Sequence, residues 1–399
     1  MPTFSKIFLL LALLAAPVLG VEKFTIDMAA SSKTLAVRVS SNSPALEGLA
    51  LRAFGSHGRY RVVGAGVAAA YNIVFSSAGG TAVRVDVTRG LGNEPVASEV
   101  LTGTSVNNAL LKAADVAVEK TNGLGLRGYF ASMITFVGGS GHNKSIYVSD
   151  LFLTSGAVRR VVSDGHDLLF PRWSPDGTKI IYTSYLHGFP DIYVANLSTM
   201  QRSIFAKYNG TNMSARYSPD GSHVAMILTG TGNPEIWVSD AQGHGLVRRT
   251  RSELTKSSPC WSPDGRSIVF AQGDSSPQLY TMPAFGGSAQ RIASGLGRYE
   301  AEPDWIHTDK GDRIVFTARP EGSYQIARYD FVNPAKLVSN APFDGIEPTW
   351  LPDGRHVVYT ARDQYTTALC ILDTETGKST PISEGRIPGQ VMQANVLRR

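Results

Sequence analysis

The chain has 399 residues, of which 43% are hydrophobic and 18% charged, so it is long enough for two or three globular domains. Its formal net charge of +5 is spread along the chain, which argues against a nucleic-acid-binding groove. The 40 glycines, together with few long helical patterns, favour a turn-rich β structure.

The first twenty residues are typical of a secretory signal. Lys6 provides a positive start, and residues 7–16 form an apolar run that is too short to span a bilayer. Pro17 ends this run, and cleavage after Gly20 would leave a mature chain that starts at Val21. We therefore expect residues 1–20 to be a cleaved signal peptide of an exported protein. The alternative is an uncleaved membrane anchor.

Residues 21–125 alternate between strand and helix patterns, which predicts a small α/β domain. Its first part, residues 21–32, is expected to be flexible, or else to be the first strand of the domain. Asn122-Gly123 is a good helix stop. The predicted strands cover 34–40, 60–63, 71–76, 81–88 and 97–102, and the predicted helices cover 44–54 and a stretch from Ser105 or Asn107 to Lys120.

A repeated motif dominates the rest of the chain. The sequence (W/Y)SPDG starts at Trp173, Tyr217 and Trp261, a broken copy starts at Trp305, and WLPDG starts at Trp350, with separations of 44, 44, 44 and 45 residues. A period of this length is typical of a β-propeller with one four-stranded blade per repeat. Pro, Asp and Gly suit a tight turn, so we interpret the aspartates as turn residues rather than metal ligands.

The blade count comes from the strands around these turns. Inner strands precede five turns, but the other three strands occur six times, because 133–137, 145–150 and 158–162 form an additional set. A further step of 44 residues from Trp350 reaches Ala394, which lies in the apolar segment Gly389–Leu397. This segment therefore has the repeat position of a sixth inner strand. We therefore predict that residues 126–399 form six blades, and that the C-terminal strand completes the first blade and removes its free edge.

Few side chains suggest catalysis or metal binding. Cys260 and Cys370 fall in different blades and at different phases, so we expect two buried free thiols, although an exported protein could form a disulfide. The histidines of the repeat region share no ring position, so a converging histidine cluster is not expected. The G-x-S-x-G motif of serine peptidases is absent from the sequence.

The signal-like start, the small α/β domain and six repeats with (W/Y)SPDG together resemble the TolB family, the periplasmic β-propeller proteins of Tol–Pal systems. Val21–Asp27 is similar to the family's mature N-terminus, and Asn107–Tyr129 is similar to its last α/β-domain helix. The resemblance implies a multidomain protein: an N-terminal α/β domain followed by a six-bladed propeller. It also implies a periplasmic monomer without enzymatic activity, cofactor or metal.

The resemblance further implies two partners. A Pal-like peptidoglycan-associated lipoprotein would dock on one mouth of the propeller, and a TolA-like inner-membrane protein would bind the N-terminal segment. Such an adaptor would support outer-membrane integrity and constriction during cell division. The implied mouth residues are Thr211, Asn212, Ser214, Ser257, Ser258, Glu302 and Glu347. The implied residues of the N-terminal segment are Glu22, Lys23, Phe24, Ile26 and Asp27.

A second hypothesis is an exported propeller enzyme or glycan-binding protein, of the lyase or hydrolase class, with a site in the funnel. An enzyme should show convergent ionisable groups with shifted pKa values in a cleft. An adaptor should show a broad and mostly neutral mouth. The mouth residues could also be no more than solvated turns.

Overall fold

The computed structural model describes residues 34–398. The predicted signal peptide, residues 1–20, and the segment at 21–32 therefore lie outside the described residues, as do the five partner-binding residues predicted there. Within residues 34–398, none of the helices combines the length and the apolar character that crossing a bilayer requires.

The N-terminal part of the described chain is a five-stranded sheet with two helices on one face. Its elements are β1 (Leu35–Ser41), α1 (Pro44–Ser56), β2 (Tyr60–Val62), β3 (Tyr71–Ser77), β4 (Ala82–Arg89), β5 (Glu94–Thr102) and α2 (Val106–Thr121). The strand order is β2-β1-β3-β4-β5, with β1 parallel to both neighbours and the other pairs antiparallel. Alternate residues Val83, Val85 and Val87 are fully buried, which is the period that one covered sheet face requires.

The rest of the chain forms six four-stranded antiparallel sheets, which confirms the predicted six blades. We number the blades in chain order. Their strands are β6 (Met133–Ser140), β7 (Asn143–Asp150), β8 (Arg159–Ser163) and β29 (Gln390–Val396) in blade 1; β9 (Leu168–Trp173), β10 (Lys179–Ser184), β11 (Asp191–Asn196) and β12 (Arg202–Ala206) in blade 2; β13 (Asn212–Tyr217), β14 (His223–Leu228), β15 (Glu235–Asp240) and β16 (Val247–Arg248) in blade 3; β17 (Lys256–Trp261), β18 (Ser267–Gln272), β19 (Gln278–Pro283) and β20 (Gln290–Arg291) in blade 4; β21 (Glu300–Thr308), β22 (Gly311–Ala318), β23 (Gln325–Tyr329) and β24 (Lys336–Leu337) in blade 5; and β25 (Asp344–Trp350), β26 (His356–Arg362), β27 (Thr367–Asp373) and β28 (Ser379–Pro381) in blade 6.

The C-terminal strand closes the ring as predicted. Strand β29 pairs antiparallel with β6, with Val391 opposite Gly138 and Val396 opposite Ile134. The first blade is therefore built from the two ends of the propeller sequence, and its inner edge is paired.

The SPDG sequence is explained by the turn that follows each inner strand. In blade 2, Ser174 Oγ donates to Asp176 Oδ1 at 2.5 Å and accepts the Lys179 N–H at 2.9 Å. Gly177 has φ of 71°, a conformation that a side chain resists. The same serine–aspartate bond is present in blades 3 and 4, so their aspartates are turn residues, as predicted.

The repeat aromatics connect neighbouring blades. Three tryptophans donate their indole Nε1–H to a backbone carbonyl of the preceding blade, at 3.0–3.1 Å. These pairs are Trp173 with Asn395, Trp261 with Arg216, and Trp350 with Asp304. In blade 5 the Trp305 indole instead donates to Asp312 Oδ2 of the same blade, at 3.2 Å. The repeat tryptophans of blades 2, 4 and 6 therefore each bond to the blade before them.

Replacing Trp350 with Phe tests this role. The variant keeps a ring but leaves the buried Asp304 carbonyl without the indole N–H, so we expect a loss of about 1–2 kcal/mol in the free energy of unfolding. Chemical denaturation measures it. Trp237→Phe is the matched control, because the buried Trp237 Nε1 has no hydrogen-bond partner among residues 34–398 and its removal should cost little. Equal losses in the two variants would contradict the interblade role.

The N-terminal domain packs against blades 1 and 6 at the ends where the inner strands finish. Leu351, which replaces the serine of the motif in blade 6, lies in one apolar cluster with Phe54 of α1 and Phe130. Arg52 Nη2 donates to the Phe152 carbonyl at 2.7 Å. No space exists for a Cβ at Gly58, because the Asp373 carboxylate of blade 6 lies against it.

A buried ionic cluster lies at this junction, and it includes a pair of histidines that the repeat phase did not predict. His356 Nδ1 lies 2.5 Å from Asp353 Oδ2, and its Nε2 lies 3.5 Å from Asp373 Oδ2. Asp373 also accepts bonds from Arg355. The ring of His57, from the N-terminal domain, is 4.3 Å from that of His356. Repeat phase could not reveal this pair, since His57 lies outside the repeats.

The rings of His57 and His356 differ in protonation state at neutral pH. Burial, then His356 and Arg355, lower the pKa of His57 well below its usual value. Although burial alone would lower it, Asp353 and Asp373 raise the pKa of His356 to about 9. His356 is therefore cationic at neutral pH, and with Arg355 it balances the two carboxylates.

The raised pKa of His356 predicts a pH-dependent stability. Its folded pKa of about 9 lies above the ordinary histidine pKa of 6.5, so its stabilisation is complete below pH 6.5 and is lost as pH rises through 9. We expect the free energy of unfolding to fall by on the order of 2 kcal/mol across this window. The variant His356→Gln should be less stable at pH 6.5 and should lack this slope.

Urea denaturation at pH 6.5, 7.5, 8.5 and 9.5 measures the effect. His307→Gln is the control, because His307 makes a similar bond to Asp312 but is largely exposed. An identical slope in the wild type and in His356→Gln would overturn the assignment.

Candidate functional site

Six residues in one unusual backbone conformation surround the central opening of the propeller. Each lies at a β-bulge in an inner strand and has a positive φ between 52° and 57°. For residues other than glycine this conformation costs roughly 1–2 kcal/mol. These residues, which we call the mouth ring, are Phe170, Ser214, Ser258, Glu302, Glu347 and Gln393.

Side chains of the mouth ring satisfy the backbone of the next blade. Glu302 Oε2 accepts the Glu347 N–H at 2.9 Å, and Glu347 Oε2 accepts the Gln393 N–H at 3.2 Å. Gln393 Oε1 in turn accepts the Phe170 N–H at 2.8 Å. The bulge turns each N–H out of its own strand, and the neighbouring side chain compensates, which holds the conformation in place.

The structure brings together four of the seven predicted mouth residues. Ser214, Ser258, Glu302 and Glu347 all line the central cavity. All four lie three residues before the repeat aromatic. The same phase would have identified Phe170, which the sequence analysis missed. Gln393 was also missed, because no repeat aromatic follows it and it lies 46 residues after Glu347 rather than 44.

The other three predicted residues lie next to the mouth ring but are not part of it. Ser257 is exposed beside the ring, and Thr211 is half-buried, with its N–H bonded to Thr229 Oγ1 at 2.7 Å. Asn212 is fully buried, and its side-chain amide holds the preceding loop through the Tyr208 and Gly210 carbonyls. Its side chain is therefore not part of the accessible mouth.

A charged layer lies below the mouth ring, deeper in the channel. Asp304 accepts bonds from Arg216 and Arg398 and, at 2.8 Å, from the Trp350 N–H. Although burial opposes it, Arg398 and Arg216 hold the pKa of Asp304 well below its usual range. Burial, then Arg216, lowers the pKa of Arg172 to about 10. Arg398, which follows the last strand of the ring, thus joins the channel wall.

Glu302 and Glu347 are neighbouring carboxylates of the mouth ring, and a paired acid and base can serve catalysis. Burial, then the neighbouring Glu347, raises the pKa of Glu302 to about 7. However, Glu302 Oε2 also accepts a bond from Thr317 Oγ1 at 2.6 Å, and Glu347 Oε2 accepts one from Thr360 Oγ1 at 2.9 Å. Both carboxylates are committed to neighbouring groups, so the arrangement favours a structural role over general acid–base catalysis.

Potential metal ligands also meet at the domain junction, where atoms of His57, Asp353 and His356 lie within 4.8 Å of one another. His57 Nδ1 accepts the Arg59 N–H at 3.2 Å, which places the proton of the neutral ring on Nε2. His356 is held between two carboxylates. These bonds suit an ionic cluster rather than a metal centre. Asp353 is the turn aspartate of the motif in blade 6, and it also belongs to this ionic cluster.

Exposed aromatic side chains extend the mouth outwards. Phe189, Tyr208 and Tyr365 lie in loops on the face where the inner strands begin, and their exposed fractions are 73%, 44% and 76%. Exposed aromatics around a rigid opening are typical anchors of protein–protein interfaces. The sequence offered a usable signal, because each stands in a polar or Gly/Pro-containing loop outside the blade pattern.

Comparison with known proteins adds to this geometry. The family model described as the TolB beta propeller domain matches residues 121–393. The curated proteins named Tol-Pal system protein TolB from Bordetella pertussis and Bordetella parapertussis are each 40% identical over 179 residues. That match covers 44% of this chain and 40% of the length of each relative.

Solved structures agree with the fold. The crystal structure of TolB from Acinetobacter baumannii matches with a TM-score of 0.78 at 20% identity and covers 95% of this chain and 99% of that one. A putative TolB from Agrobacterium tumefaciens matches with a TM-score of 0.50 at 20% identity, covering 63% of this chain and 87% of the other. Because the family model spans well over half of the sequence, this chain belongs to the TolB β-propeller family.

Proposed function

We propose that this protein is a periplasmic adaptor of a Tol–Pal-type envelope system and has no catalytic activity. Its propeller mouth would bind a Pal-like lipoprotein, and its N-terminal segment would bind a TolA-like inner-membrane protein. In this role it would support outer-membrane integrity and constriction during cell division. Membership of the TolB family is the observation that carries the proposal.

The mouth has the properties that a protein partner requires. Inter-blade bonds fix the mouth ring, so a partner would meet a preorganised surface and lose little free energy in ordering it. Ser214, Ser258 and Ser257 provide small neutral side chains at the opening. Phe189 and Tyr365 provide aromatic area around it. A surface of this kind can bury a standard protein–protein interface.

The N-terminal segment is proposed from sequence alone. Phe24 and Ile26 alternate with charged residues, which suits an added strand on the edge of a partner's sheet. One chain could then connect a partner at each membrane.

Arginine substitutions at the mouth test the first interaction. In the triple variant Thr211→Arg, Ser214→Arg and Ser257→Arg, bulky cations replace small neutral side chains, so we expect the affinity for the Pal homologue to fall at least 100-fold in calorimetric titrations. Ser198→Arg is the control, because Ser198 is exposed in a turn at the opposite end of the strands. Unchanged binding by a triple variant that still melts cooperatively would contradict the mouth assignment.

Deletion of residues 22–27 tests the second interaction. We expect the shortened protein to retain its affinity for the Pal homologue, because the proposed Pal site lies at the mouth ring of the propeller. Binding to the periplasmic domain of the TolA homologue should be lost in the same titrations. A scrambled 22–27 segment of identical composition is the control. Retained TolA binding in both variants would exclude this segment as the contact.

A further inference from the structure

A second cavity lies at the domain junction, on the face opposite the mouth. It has a volume of about 460 Å³ and lies between the N-terminal domain and blades 5 and 6. Its walls include Arg59, the linker 124–127, and the turns 307–310 and 352–355 that follow two inner strands. Cavities of this size at domain interfaces are typical of small-molecule sites.

The cavity coincides with the departures from the repeat motif. Blades 2, 3 and 4 carry Ser-Pro-Asp-Gly after the aromatic, whereas blade 5 carries Ile-His-Thr-Asp-Lys and blade 6 carries Leu-Pro-Asp-Gly. Packing against the N-terminal domain explains Leu351. No comparable contact explains His307 and Lys310, which are exposed to the cavity among the described residues. Positions where a repeat departs from its motif, and where packing does not explain the change, are expected at functional sites.

The lining has an excess of positive charge. Five of its side chains are cationic and three are carboxylates, and two of the carboxylates have partners outside the lining. Asp353 is paired with His356 at 2.5 Å, and Glu375 with Arg328 at 2.5 Å. The cationic residues are Arg59, Arg127, Lys310, Arg313 and Arg355, and the remaining carboxylate is Asp309.

The cationic groups are close enough to affect one another. Burial, then Arg355, lowers the pKa of Arg59, and burial, then Arg328, lowers the pKa of Arg313. Arg355 is held by Asp373, but Arg127 and Lys310 have exposed side chains without an ion pair in the part of the chain that the structure describes. An anion in the cavity would relieve this repulsion.

We propose that this cavity binds a small anionic ligand that carries a phosphate or carboxylate group. Guanidinium groups bind both anions through paired hydrogen bonds, and Lys310 adds a point charge. Leu124 and Pro352 offer apolar surface for the non-ionic part of such a ligand. Because Arg127 belongs to the linker and Lys310 to blade 5, the ligand would bridge the two domains.

Calorimetric titration with inorganic pyrophosphate and with citrate tests the proposal and separates the two chemistries. We expect saturable 1:1 binding of at least one of them that persists in 0.15 M NaCl. Arg127→Glu and Lys310→Glu should each weaken it at least tenfold. Arg266→Glu is the matched control, since Arg266 lies in the corresponding turn of blade 4 with an 85% exposed side chain, and it should leave the affinity unchanged.

Three results would overturn the proposal. These are no saturable binding of either anion, unchanged affinity in both charge reversals, or an equal loss in Arg266→Glu, which would indicate diffuse attraction to a basic surface. All variants should melt within a degree or two of the wild type, because none of the three side chains is buried. The mouth substitutions lie at the other end of the strands, so this test can fail without affecting the adaptor proposal.

Discussion

Each blade of the propeller presents polar backbone groups that the neighbouring blade must satisfy. The bulges turn backbone N–H groups away from their own sheets, and three of the four repeat tryptophans donate their Nε1–H to a carbonyl of the neighbouring blade. Glu302, Glu347, Gln393 and the carbonyl of Asp304 meet these demands across the blade boundaries. Apolar packing alone would allow blades to slide, whereas these directional bonds define their register around the ring.

The same constraint shapes the mouth. A residue in the left-handed region is disfavoured by itself, and it persists only where its surroundings determine it. Here six such residues meet around one opening, and several are held by a neighbour's side chain. The backbone strain is therefore distributed over the six residues of the mouth ring. The bonds that hold these residues between blades also make the surface offered to a partner rigid.

The domain junction uses a different kind of interaction. His356, Arg355, Asp353 and Asp373 form a buried, charge-balanced group on blade 6, and His57 covers it from the N-terminal domain. Buried ionic groups add little net stability compared with apolar packing, but they penalise any arrangement that leaves a charge unpaired. The cluster therefore specifies how the domain sits on the propeller more than it strengthens the contact. It also places the linker and the blade 5 turn around the second cavity.

Much of the fold followed from the sequence because its signals are local. The 44-residue period and the SPDG turns depend on residues close in the chain, and the structure contains them. The start of α2, predicted at Ser105 or Asn107, is also a local signal, and the structure has the cap at Ser105. Counting strands was enough to assign the C-terminal strand to blade 1. Glu302 and Glu347 were found at the mouth for the same reason, since they share a repeat phase. The pairing of His57 with His356, and the burial of Asn212, depend on contacts that no period encodes.

The position of β29 has a consequence for how the protein is made. The strand that completes the first blade is synthesised last, and its partner β6 is synthesised before the other five blades. Until β29 emerges, β6 presents an open edge, Phe170 lacks its Gln393 acceptor, and Trp173 lacks the Asn395 carbonyl. Such long-range closure is slow and leaves strand edges exposed to other chains. The nascent propeller is therefore most vulnerable to aggregation just before it is finished, when a holding chaperone would be needed most.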